Sequence, residues 1–89
     1  MENISEEQKM TGLFLNLVQQ FYQSALIFMG KVENPQTKKI EINKDMARYF
    51  IDSLEMLQFK TKNNLSDQEN QMLSKIVQEL KLDFVKENN

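Results

Sequence analysis

Leu13-Phe-Leu-Asn-Leu-Val-Gln-Gln-Phe-Tyr-Gln-Ser-Ala-Leu-Ile-Phe-Met29 is the stretch that decides the fold. Twelve of its seventeen residues are apolar, and none is charged. At about 100° per residue, Asn16, Gln19, Gln20, Gln23 and Ser24 share one arc of roughly 140°, and the opposite half is apolar. That periodicity belongs to a helix, not a strand. The apolar half divides into two adjoining stripes. One is Phe14, Leu17, Phe21, Ala25 and Phe28; the other is Leu15, Val18, Tyr22, Leu26 and Met29. Two neighbouring helices could each cover one stripe. A domain this small buries only about 60% of its unfolded surface, so closure of one stripe by a second copy adds useful burial. The self-association face is therefore expected at Leu15, Val18, Tyr22, Leu26 and Met29, in a twofold dimer.

Working outward, Ser5 and Gln8 form a potential capping box for this helix, and Gly30 sits where a left-handed residue ends it. Asn34-Pro35-Gln36-Thr37 reads as a type I turn, flanked by Val32 and the alternating Ile40-Glu41-Ile42. Two short strands are expected there, as a hairpin-like connector. Asn43 caps a second helix with Ala47, Phe50, Ile51, Leu54 and Leu57 at helical spacing. Asn63 is its left-handed stop. Ser66-Asp67-Gln68-Glu69 is a capping box opening a third helix, striped by Leu73, Ile76, Val77, Leu80 and Phe84. The fold class is all-α: a three-helix unit with helices at about 6–29, 44–62 and 67–86, a hairpin-like connector between the first two, and dimerisation. Residues 1–5 read as a frayed N-terminus, 6–87 as a single helical domain and 88–89 as a tail.

Composition excludes more than it suggests. The 89 residues hold no His, Cys or Trp, with two Gly and one Pro. No Ser-His or Cys-His nucleophile, zinc finger or disulfide can be built from such a chain. Three Gly and Pro residues are too few for a turn-rich sandwich or a phosphate-cradling glycine loop. A net charge of −2 argues against a dedicated nucleic-acid binder. Met10 to Gly30 carries no charge and approaches the length of a bilayer span, but its amides and missing basic flanks favour a soluble helix. The first eight residues hold three acidic groups and no basic one, unlike a signal peptide, so the expected location is cytoplasmic, without membrane association.

Asp52 and Glu55 lie three apart on one helical face and could hold Mg²⁺ or act as an acid/base pair. With Arg48 and Asp45 nearby, a surface ion-pair ladder is the preferred reading, and no metal or cofactor is expected. Residues 31–62 hold seven basic against five acidic side chains. Lys38, Lys39, Lys60 and Lys62 are thus the candidate anion or nucleic-acid contacts. A single Arg offers little bidentate phosphate recognition, and helix-dipole compensation accounts for Lys60 and Lys62.

Phe14-x-x-Leu17-Val18, Ser24-Ala25-Leu26, Gly30, Asn34-Pro35, Ala47, Ile51-Asp52-x-Leu54-Glu55-x-Leu57 and Lys60-Thr61-Lys62-x-Asn64-Leu65 together resemble a bacterial family, domain of unknown function 1844. The likeness runs from about residue 12 to residue 86. Family members usually have Gly after Lys-Thr-Lys; this chain has Asn63, which preserves a left-handed turn. The resemblance implies a small, mostly helical bacterial protein and brings no activity with it. The expected function is a non-catalytic, homo-oligomeric interaction or structural module, with an unidentified protein partner allowed. An accessory protein binding RNA or DNA through the lysines is the alternative, and an enzyme comes third.

Overall fold

The computed structural model describes residues 5–87. It is all-α, with α1 at Glu6–Phe28, α2 at Lys44–Lys60 and α3 at Asp67–Glu87. Residues 1–4 and 88–89, expected as frayed end and tail, lie outside the described residues. Ser5 is held in place: its hydroxyl accepts from Gln8 N–H and its own N–H donates to Gln8 Oε1, each at 3.0 Å. Asn43 Oδ1 accepts from Met46 N–H at 3.1 Å. Ser66 and Glu69 close the reciprocal box of α3 at 2.9 and 3.1 Å. Each box satisfies backbone donors that the helix itself leaves unpaired.

The end of α1 is a Schellman turn. Gly30 takes φ +78°, its N–H reaches Ile27 C=O at 3.0 Å, and Lys31 N–H reaches Leu26 C=O at 2.9 Å. α2 stops at Lys60, short of the expected Lys62. Thr61 is the C-cap, at φ −98° and ψ 11°; its N–H and hydroxyl both bond to Leu57 C=O, at 3.0 and 2.7 Å. Asn63 is left-handed, at φ 72°, but lies in the turn beyond the cap.

The connector departs from expectation. No strand forms at Val32 or over 40–42; two isolated antiparallel bridges, Met29 with Ile42 and Asn34 with Lys39, stand instead. Four residues separate the two rungs on one side and two on the other, so a ladder cannot run between them. The Asn34 turn is also wider than type I. It closes from Asn34 C=O to Lys38 N–H at 2.7 Å, with Lys38 at φ 61°. Asn34 Oδ1 accepts from Gln36 N–H at 2.9 Å, and Glu41 accepts from the Asn34 amide at 3.0 Å and the Thr37 hydroxyl at 2.9 Å.

The core joins Val18, Ala25 and Met29 to Ala47, Ile51 and Leu54 of α2 and Leu73, Val77 and Leu80 of α3. α2 is the middle helix: α1 and α3 each pack against it and barely against each other. Gln58 Nε2 donates to Ser74 Oγ at 2.7 Å across the α2–α3 contact. The Cα envelope is 44 × 30 × 16 Å. Three helices abreast need a width of about 25 Å, whereas a triangular bundle is about 15 Å across in both short directions. The radius of gyration, 14.7 Å, exceeds the roughly 12 Å of a compact domain this long. The helices therefore splay into an open layer.

Candidate interaction surface

α1 presents its two stripes unequally. Of the expected self-association residues, Val18 and Met29 are 2% and 5% exposed, covered by the chain's own core. Leu15, Tyr22 and Leu26 are half-buried. The exposed apolar residues of α1 lie on the other flank: Met10, Leu13 at 61% and Leu17 at 38%. Position on the helix explains this. Leu15, Tyr22 and Leu26 turn toward the inner side of the layer, whereas Met10, Leu13 and Leu17 continue outward from Phe14, Phe21 and Phe28.

The outward flank of α1 runs into α2 through aromatic rings. Phe50 of α2 lies 5.8 Å from Phe21 and stacks parallel to Phe28 at 6.0 Å. Tyr49 then meets the edge of Phe50 at 5.2 Å. Such ring pairs are worth about 0.5–1.5 kcal/mol each beyond the area they bury. Tyr49 is nonetheless 60% exposed, and Met56, two turns further along α2, is also exposed. Sequence periodicity marks the α2 core stripe and leaves Tyr49 and Met56 off it, and both are exposed.

The candidate lysines do not form one surface. Lys38 and Lys39 sit in the connector before α2, and Lys60 and Lys62 at its far end. Helix α2 spans about 24 Å between its first and last residues at 1.5 Å per residue. Two separate pairs of lysines result, each exposed to solvent.

The carboxylates are likewise dispersed. Glu55 Oε2 accepts from Lys81 Nζ of α3 at 2.6 Å, with both side chains about half exposed. Among the described residues Arg48 forms no ion pair with Asp45 or Asp52, so the expected ladder is not built; all three side chains point into solvent, where pairing gains little. No group of three or more acidic residues placed to hold a metal occurs among the described residues. Likewise, no helix there is long and apolar enough to cross a membrane.

An open groove of about 1160 Å³ lies where the start of α1 faces the α2–α3 turn. Met10, Phe14, Leu15, Leu65 and Met72 supply its apolar lining, and Asp52 is not part of it. Glu69 at its edge is held below the ordinary carboxylate value, first by the Ser66 backbone N–H and then by the Thr11 hydroxyl.

These features define a small all-α protein that leaves large apolar side chains of α1 and α2 exposed. The family model described as domain of unknown function (DUF1844) matches residues 12–86, and the chain belongs to that family. No curated protein and no solved structure matches it.

Proposed function

We propose that this protein is a non-catalytic interaction or structural module of the bacterial cytoplasm that works as a homo-oligomer, in the simplest case a twofold dimer. One observation carries the reading: α1 and α3 flank α2 in an open layer and scarcely meet, leaving large apolar side chains uncovered. Domains reach stability by packing two layers against each other, and one copy supplies little more than one. A second copy supplies the other. Each exposed Leu, Met or Tyr that becomes covered contributes roughly 1 kcal/mol, half of the full burial value of about 1.5–3 kcal/mol. Sedimentation equilibrium is the test. Dimer is expected at about 10 μM, where an association free energy near −7 kcal/mol suffices. A monomer throughout the concentration series removes the reading.

A further inference from the structure

The groove between the start of α1 and the α2–α3 turn carries an inference independent of self-association. We propose that Met10 and Met72 form a modification site, oxidised by hydrogen peroxide to methionine sulfoxide in the folded chain, and that this turns the groove from apolar to polar.

Composition directs a two-electron oxidant to methionine. The chain holds six Met and no Cys, His or Trp, so thioethers are its only sulfur groups. Solvent access then sorts them. Met10 on α1 is 62% exposed and Met72 on α3 is 38% exposed, whereas Met29 in the core is 5% exposed. Peroxide meets the first two in the folded chain and reaches Met29 only when the core opens.

Placement gives the modification its consequence. Five apolar side chains line the groove, and Met10 and Met72 come to it from different helices. Those two are exposed; Phe14, Leu15 and Leu65 are half-buried. The apolar surface that the groove offers to solvent is therefore largely thioether. Nothing in the helices demands sulfur there, since Leu, Lys, Gln and Glu propagate a helix as well as Met does. Neither residue belongs to the buried core, so the fold survives its oxidation.

The step is an oxygen transfer. A sulfur lone pair attacks one peroxide oxygen, the S–O bond forms as the O–O bond breaks, and the second oxygen leaves as water after proton transfer. Sulfur loses two electrons and the peroxide gains them. Each sulfoxide places a polar S=O group where an apolar thioether stood.

The test treats full-length protein with hydrogen peroxide at about 1 μM, where the single chain predominates even under the self-association proposed above. Peptide mass spectrometry follows each methionine, circular dichroism follows helicity, and the fluorescence of anilinonaphthalene sulfonate reads exposed apolar surface. Met10 and Met72 should oxidise at least about 10-fold faster than Met29, with helicity unchanged. Dye fluorescence should fall by about half in the parent and hold in the double variant Met10→Leu/Met72→Leu. Met56, 46% exposed, oxidises in both proteins and cancels from that comparison. Oxidation of Met29 as fast as Met10 and Met72, loss of helicity once those two are modified, or an equal fall in dye signal in the double variant overturns the proposal.

Discussion

Replacing Gly30 by Ala tests the turn that brings α2 back along α1. The residue sits at φ +78°, where an L side chain costs roughly 1–2 kcal/mol. Space adds to the cost: a Cβ at Gly30 would lie 2.7 Å from Ile42 Cγ1 and 3.3 Å from its Cδ1. Ile42 cannot retreat as a unit, because its backbone bridges Met29 and the next N–H, of Asn43, bonds to Phe28 C=O at 2.8 Å. Relief must come from a β-branched χ1 leaving its well, at about 0.5–1.5 kcal/mol. Alanine also restricts the unfolded chain, which returns about 0.4–1 kcal/mol. The net loss is about 2 kcal/mol, or roughly 8–16 °C in Tm for a domain of this size. Thermal and urea melts followed by circular dichroism at one fixed protein concentration measure it, since self-association makes Tm concentration-dependent. In an Ile42→Ala background the steric part disappears, and the cost of Gly30→Ala should fall by about 1 kcal/mol. A loss below about 0.5 kcal/mol in the parent, or an equal loss in both backgrounds, refutes this account of the turn.

Three further outcomes follow from the same structure. Leu54→Ala empties a fully buried position of the middle helix and should cost about 3–4 kcal/mol, read from the urea midpoint. Lys38→Gly should stabilise by about 0.5 kcal/mol, because Lys at φ 61° carries strain that glycine lacks; unchanged stability would show that the loop relaxes around it. Glu69 has a depressed folded-state pKa, so its contribution is present above the ordinary glutamate value of about 4.3 and is lost as pH falls through the lower folded value. The parent should therefore lose stability relative to Glu69→Gln on acidification from neutral pH to pH 3, and parallel Tm curves for the two would refute it.

Local chemistry made much of this architecture legible. Capping at Ser5, Asn43 and Ser66, the left-handed Gly30 and the three apolar stripes each depend on residues within about one turn, so chain order reveals them. What depended on distant partners did not show. The alternation Ile40-Glu41-Ile42 looks like a strand, yet the unequal spans between its two rungs forbid a ladder, and both isoleucines remain exposed. Summed charge over residues 31–62 suggested a lysine surface, but a helix of about 24 Å separates its halves. The end of α2 falls at Lys60, with Thr61 as its cap, a boundary that the apolar stripe ending at Leu57 does not register.

The same distinction bears on the two stripes of α1. A half-cylinder of apolar residues states that α1 is covered, but coverage is assigned by where α2 and α3 come to lie. Since α3 packs on α2 and hardly reaches α1, Val18, Ala25 and Met29 are buried while the Met10–Leu13–Leu17 edge is left to solvent. Burial within one chain explains an apolar inner face. It does not explain why Asn16, Gln19, Gln20 and Gln23 hold the outer face without a single Lys or Glu, residues that propagate a helix as well as Gln does. Solvent exposure alone would accept those charges at no cost. A surface that must lie beside a copy of itself would not, because any charge near the twofold axis meets its own sign. The run from Met10 to Gly30 meets that condition and the start of α1 does not, since Glu6, Glu7 and Lys9 precede it.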